Sequence, residues 1–271
     1  MSDLFSVDNK IIVISGATGI LGSAITAYLA EQGAKVVALG RNPDKVNTLI
    51  GEIKGTKHKV SPLIADVTNA QDLEHAKLKL ENGFGKIDVL INMAGGNMAG
   101  AVITPEQSIL DAGIDDLNKV MELNYMGSFL PIKTFLPLFL KDLKGSIVNI
   151  SSMAAQRPVT RVLGYGSAKA AIDNLTKWLA IEFCHKHSAE LRVNAIAPGF
   201  FLTEQNRTLL TGADGELTKR GRQIIANTPM GRFGKPDELF GALQWLCSDA
   251  SKFVTGTIIP VDGGFNAYSG V

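Results

Sequence analysis

The sequence predicts an α/β fold: a doubly wound, seven-stranded parallel sheet in a single domain. Three observations predict it. Short β-rich runs alternate with longer helix-like segments along the whole chain. Most of the short runs are continuously apolar rather than alternating, the pattern of strands buried on both faces of a parallel sheet. The chain has 271 residues, 45% hydrophobic and 20% charged, with no linker, repeat or low-complexity stretch to divide it.

Strands are expected at 11–15, 35–39, 60–65, 89–92, 146–150, 192–196 and 257–261. Helices fill the gaps. The first, 21–32, stops before Gly33. The second, 69–81, starts at a capping Asn and stops before Gly83. A long third, 117–140, contains Pro131 and Pro137 and should be bent or broken there. Segments 164–187 and 236–248 complete the set. Strand–helix alternation of this kind gives right-handed crossovers. Two connections, 96–116 and 203–222, exceed the usual length, and the second is expected to be a substrate lid.

Net charge is +1, with no run of Lys and Arg, so neither nucleic acid nor a membrane surface is an expected partner. Cys184 and Cys247 lie far apart without CxxC spacing. They read as small buried hydrophobes, and no metal site is expected. Residues 1–10 lack a signal-peptide pattern and no apolar run reaches membrane-spanning length. A cytoplasmic location is the expectation.

The first strand runs into Ser15-Gly16-Ala17-Thr18-Gly19-Ile20-Leu21-Gly22. Glycines between a strand and a helix let the backbone approach a pyrophosphate, where free N–H groups and the helix dipole favour negative charge. A tight βα turn also needs glycine, but strand, turn and helix lie in the order that dinucleotide binding requires. The second strand is followed by Gly40-Arg41-Asn42. An acid at this point would bond the ribose of NAD, whereas Arg can hold the 2′-phosphate of NADP. NADP or NAD is therefore the expected cofactor, with NADP slightly favoured through Arg41.

Ser152, Tyr165 and Lys169 form the strongest constellation. Tyr165 and Lys169 are four apart in a helix-like segment and share one face. A nearby ammonium lowers a phenol's pKa and suits it to acid–base work. Ser152 follows a strand at its carboxyl end, where open α/β sheets bind ligands. Its hydroxyl could hold a carbonyl or alcohol oxygen. A lone Tyr-x-x-x-Lys is common; one placed thirteen residues after a strand-end Ser is not.

With these residues in view, the chain resembles the short-chain dehydrogenases/reductases over essentially its whole length. The resemblance also rests on Asp66-Val67, Asn92-Met93-Ala94-Gly95, Asn124, Tyr165-Gly166-Ser167-Ala168-Lys169, Arg192-Val193-Asn194 and Pro198-Gly199-Phe200-Phe201-Leu202-Thr203. It implies a Rossmann fold and nicotinamide-dependent oxidoreduction by a dimer or tetramer. It also implies roles. Gly16, Thr18, Gly19, Ile20, Leu21 and Gly22 cradle the cofactor. Asp66 and Val67 contact adenine, and Asn92, Ala94 and Gly95 flank the cofactor. Lys169 and Tyr165 meet the nicotinamide ribose. Pro198, Gly199, Phe201 and Thr203 meet the nicotinamide end. Asn124 holds a proton-relay water beside Lys169. The match has departures: the family's turn is T-G-x-x-x-G-x-G, whereas Ser15 stands for Thr, Ile20 for the middle Gly, and Met93 for the second Asn of N-N-A-G.

A narrower resemblance is to the short-chain type of D-mannonate oxidoreductases (fructuronate reductases). It is carried by Ala94-Gly95-Gly96-Asn97, Arg157-Pro158 with Arg161, Thr203-Glu204-Gln205-Asn206-Arg207, Thr228-Pro229-Met230-Gly231-Arg232-Phe233-Gly234 and the closing Ser269-Gly270-Val271. It implies a sugar-acid substrate, with another polyol or keto-gluconate as the alternative. A dinucleotide-binding regulator without hydride chemistry is the alternative from another class; the intact Ser152, Tyr165 and Lys169 argue against it. Asn97, Arg157, Arg161 and Arg207 are the candidate substrate residues, since guanidinium suits a carboxylate. The tail after Asp262 is expected to reach a neighbouring subunit.

Overall fold

The computed structural model describes residues 4–202, 210–212 and 215–270. Seven parallel strands form one sheet in the order β3-β2-β1-β4-β5-β6-β7. They are β1 (Ile11–Ser15), β2 (Lys35–Gly40), β3 (Ser61–Ile64), β4 (Val89–Asn92), β5 (Gly145–Ile150), β6 (Leu191–Pro198) and β7 (Ile258–Val261). All seven expected strands are present, with ends within two residues. The central strands β1, β4 and β6 are buried at every position, as their unbroken apolar runs require.

Two apolar layers sandwich the sheet. One packs α3 (Ala70–Phe84), α5 (Gly127–Phe139) and α6 (Leu163–Lys186) on Val13, Leu90 and Ile147. The other packs α1 (Ile20–Glu31), α2 (Pro43–Glu52) and a late helix, α8 (Phe240–Cys247), on Ile12, Ile14 and Ile91. Strand order reverses between β1 and β4, which opens a crevice at their carboxyl ends.

The helices depart from expectation in instructive ways. Helix α3 runs past Gly83 and ends at Gly85, whose φ of 74° makes the left-handed stop. The expected helix 117–140 is two helices, α4 (Ile114–Met121) and α5, joined by a wide π turn at Glu122–Met126. Its break is not at Pro131 or Pro137, which both lie inside α5. It falls at Asn124, whose amide takes the Val120 carbonyl at 2.8 Å. Single π turns of this kind recur at functional sites. Helix α2 was not expected: only Val46 and Leu49 of its ten residues are buried, too few for a clear apolar period. A further helix, α7 (Lys219–Ala226), begins inside the expected loop 203–222 and runs four residues beyond it, capped by Thr218. The tail docks on its own chain: the Asn266 amide donates to Gln156 Oε1 at 2.6 Å.

Candidate active site

The turn after β1 is built from close backbone approaches. Gly16 has φ 67°, and a Cβ there would lie 2.7 Å from the Ala94 nitrogen. A Cβ on Gly22 would lie 2.2 Å from the Gly16 carbonyl oxygen. These two glycines cannot carry a side chain without moving the turn. Gly19 is the N-cap of α1, at an ordinary φ of −75°, and Ile20 points its side chain partly to solvent. Ser15 accepts from the backbone N–H of Met93 and Ala94 at 3.2 and 3.3 Å, so the Thr-to-Ser departure keeps β1 tied to the segment after β4.

No side chain caps α1, and its first turn holds no acid. Neighbouring α2 and α3 each have an Asn cap and an Asp in the first turn. The positive end of α1 is thus left open at the crevice, which fits a pyrophosphate. Thr18 and Leu21 line the same turn and stay partly exposed.

Arg41 is exposed at the end of β2, and its charge reaches Asp66 at the end of β3. Burial alone would raise the Asp66 carboxyl. Hydrogen bonds from the Thr68 N–H and hydroxyl, with Arg41, outweigh it and hold the carboxyl below its usual value. Val67 is buried and packs towards Gly127.

Asn92 does not present its side chain to the crevice. It is 1% exposed and its amide donates to Asn149 Oδ1 at 2.9 Å, joining β4 to β5. Only its backbone is left for a cofactor. Ala94 and Gly95 lie at the surface of the crevice. The Asn124 amide donates to the Gly96 carbonyl at 2.7 Å, and its Oδ1 accepts from the Gly96 N–H at 3.1 Å. A Cβ on Gly95 would stand 2.6 Å from Asn124 Oδ1 and 3.2 Å from Lys169 Nζ. Asn124 and Lys169 therefore converge on Gly95.

Ser152, Tyr165 and Lys169 meet as expected. Ser152 follows β5, and its hydroxyl is near enough to that of Tyr165 to oppose the effect of burial on it. Lys169 Nζ lies 5.6 Å from the centre of the Tyr165 ring and donates to the Ile150 carbonyl at 2.7 Å. Lys169 is 4% exposed; burial lowers it to about 8, against the opposing pull of Asp173. The Tyr165 ring keeps some surface, yet burial dominates its hydroxyl and raises it, opposed by the Ser152 bond. This corrects the expectation that Lys169 lowers the phenol. The ammonium lies over the Tyr165 ring and is itself lowered by burial.

Asp173 was not singled out from sequence, although it stands one turn beyond Lys169. It accepts from Ser151, and burial raises its carboxyl. Pro198 ends β6, and a Cβ on Gly199 would lie 2.6 Å from Asp262 Cα. Phe201 is buried against Gly234. Asn97 is exposed beside the Gly96–Asn124 clamp. Arg157 departs from its expected role: Nε and Nη2 both donate to the Asn266 carbonyl, at 3.0 and 2.6 Å, so it anchors the tail. Arg161 lines a cavity of about 750 Å³ with Ala154 and Gly166, neighbours of Ser152 and Tyr165. Thr203 and Arg207, and part of the expected lid, lie outside the described residues.

Similarity to known proteins agrees with this geometry. A family profile described as enoyl-(acyl carrier protein) reductase matches residues 16–266. An uncharacterized oxidoreductase of Bacillus subtilis, UxuB, is 44% identical over 271 aligned positions, covering 97% of this chain and 96% of its own. A solved structure from Haemophilus influenza, named a candidate D-mannonate oxidoreductase and holding NAD, has a TM-score of 0.91 at 38% identity, covering 99% of this chain and 100% of its own. A gluconate 5-dehydrogenase from Burkholderia cenocepacia, in complex with NADP and tartrate, has a TM-score of 0.86 at 30% identity, covering 98% of each chain. An open α1 terminus at the switch point, the Ser152–Tyr165–Lys169 cluster and these full-length matches together make the chain a nicotinamide-dependent oxidoreductase of the short-chain dehydrogenase/reductase family.

Proposed function

We propose that the protein interconverts a sugar acid and its keto form, D-mannonate and D-fructuronate, with Tyr165 as the proton donor. The observation that carries this reading is the cluster of Ser152, Tyr165 and Lys169 next to a cavity lined by Arg161, Ala154 and Gly166. A hydroxyl pair suits a carbonyl; a guanidinium suits a carboxylate. The names of the Haemophilus and Burkholderia relatives, both sugar-acid enzymes, support the same substrate class. The second of these favours a keto-gluconate as the alternative substrate.

When bound, a nicotinamide cofactor would supply a hydride to the carbonyl carbon, or in the reverse direction accept one from the alcohol carbon. Ser152 holds the carbonyl oxygen by a hydrogen bond. Tyr165 donates its proton to that oxygen as the alcohol forms. A raised phenol pKa keeps Tyr165 protonated at neutral pH, the form that reduction needs. Lys169 orients the ring from its inner face and can exchange a proton near neutral pH. Asn124 fixes the loop that shields Lys169. Gly16, Gly19 and Gly22 would hold the pyrophosphate at α1, and Arg41 the 2′-phosphate of NADP. The assembly is a dimer or tetramer of this chain.

The test is a substrate panel. Absorbance of reduced cofactor is followed with D-fructuronate, 5-keto-gluconate and neutral ketoses, each with NADH and NADPH. The highest kcat/KM is expected for D-fructuronate. A neutral ketose that matches or exceeds every sugar acid would overturn the assignment.

A further inference from the structure

Helix α6 carries Tyr165, Lys169 and Asp173 at four-residue spacing, so the three form one stripe along it. The stripe meets three successive residues at and just beyond the end of β5. Tyr165 lies near Ser152. Lys169 donates to the Ile150 carbonyl at 2.7 Å. The residue between them, Ser151, donates its hydroxyl to Asp173 Oδ1. Helix and strand end are therefore joined residue by residue. Tyr165 and Lys169 belong to the chemistry described above; Asp173 does not.

Ser151 has little freedom. It is 1% exposed, and its backbone N–H donates to the Ile196 carbonyl of β6 at 2.8 Å. Its backbone is thus tied to the sheet and its side chain to α6. The next residue is Ser152, whose hydroxyl accepts from the Ala154 N–H at 3.1 Å at the start of a short turn. One peptide bond separates the residue that Asp173 holds from the one that must meet a carbonyl oxygen. A turn of the backbone at Ser151 would carry the Ser152 hydroxyl away from Tyr165, and small misplacements of reacting groups are costly in rate. Packing alone would not select a carboxylate here. Asp173 is half-buried, and burial pushes its carboxyl up, opposed first by the Ser151 hydroxyl. An apolar side chain would avoid that cost.

We propose that Asp173 is a positioning residue: by holding the Ser151 hydroxyl to α6, it fixes the Ser152 hydroxyl beside Tyr165 for the approach of a substrate carbonyl. The role rests on the chemistry given to Ser152 and Tyr165 above and not on the identity of the ketone.

The experiment compares wild type with Asp173→Ala, Ser151→Ala and Asp173→Asn, which loses the charge but keeps an acceptor for Ser151. Reduction of D-fructuronate, or of whichever ketone of the panel above turns over fastest, is followed at saturating reduced cofactor. Each Ala variant should lower kcat about tenfold, with the cofactor Kd within about twofold of wild type. Asp173→Asn should recover more than half of that loss on a logarithmic scale. The deciding measurement is a double-mutant cycle with Ser152→Ala. In that background Asp173→Ala should change kcat by less than about twofold, because the hydroxyl it positions is gone. A loss of folded protein would instead lower kcat by the same factor in both backgrounds. Should Asp173→Ala fail to fold, Ser151→Ala takes its place in the cycle. Wild-type kcat in the Ala variants, equal losses in the two backgrounds, or an Asn variant no better than Ala each overturn the positioning role and leave Ser152 in the chemistry. Wild-type turnover by Ser152→Ala overturns the role of Ser152 and that of Asp173 with it.

Discussion

At the amino edge of the sheet, Lys10 reaches Asp249 at 2.9 Å and Lys86 sits between Asp88 and Asp142 at 3.1 and 2.5 Å. At the carboxyl edge, Lys169 is buried against a backbone carbonyl, and Arg161 lines a cavity. Both edges carry a polar cleft, of about 500 and 750 Å³. Size does not separate them. What separates them is what holds the charges. The amino-edge cleft mixes Lys10, Lys144 and Arg192 with Asp88, Glu190 and Asp249, so a ligand there would have to break pairs. At the carboxyl edge Lys169 is held by a backbone carbonyl and burial lowers it to about 8, whereas at the amino edge Lys86 is held by carboxylates that raise it.

The contrast is broken most severely at Tyr165. Tyr165→Phe should lower kcat by about 10²–10⁴-fold while leaving cofactor affinity nearly unchanged. The matching change at the other edge, Asp249→Asn, breaks a pair with Lys10 and should leave kcat within about twofold. Steady-state kinetics with fluorescence titration of reduced cofactor checks both. Wild-type turnover by Tyr165→Phe would remove Tyr165 from the chemistry.

Lys169 sharpens the contrast through pH. Its folded value of about 8 lies below the ordinary 10.5, so the folded state releases its proton first. The burial penalty is present in full below pH 8 and is relieved as pH rises from 8 to 10.5. Wild type should therefore gain about 3 kcal/mol relative to Lys169→Met across that window. Cys247, pushed up to about 12 by burial, works in the opposite direction above pH 9 but is common to both proteins. Urea unfolding at pH 7 and pH 10 measures the difference. A pH-independent gap would mean that Lys169 does not carry the buried charge.

Helix α1 offers a smaller test. Ile20→Glu places an acid in its first turn, where α2 and α3 already have one. The helix should gain about 0.3–1 kcal/mol, whereas cofactor affinity should fall about tenfold. A variant that is more stable yet binds cofactor as well as wild type would show that the open terminus does not hold the pyrophosphate. An effect of similar size is expected at exposed Arg41. Arg41→Asp should shift preference from NADP(H) towards NAD(H) by about tenfold in kcat/KM, since it replaces a phosphate partner with a repelling charge. NAD bound in the Haemophilus relative makes this comparison informative. A wild type strongly selective for NAD(H) would overturn the reading of Arg41.

Much of the site was legible because its geometry is local. A Tyr and a Lys four apart in a helix share a face whatever else the chain does, and glycines between a strand and a helix make a bare turn. Asp173 could have been read by the same spacing. The π turn at Asn124 could not, because it depends on the Gly96 loop approaching from β4. Nor could the fate of Arg157, since the tail that captures it lies 109 residues away in sequence.

The sequence by itself determined the parallel sheet, the order of its strands and helices, and the residues able to do acid–base chemistry. Unbroken apolar runs can be buried only on both faces, and side-chain chemistry travels with the residue. Only the tertiary structure decided which polar groups are satisfied. It turned Asn92 into the sheet, gave Arg157 to the tail and set Lys169 beneath the Tyr165 ring. Burial and charge pairing are properties of neighbours in space, and neighbours far apart along the chain leave no periodic trace in it.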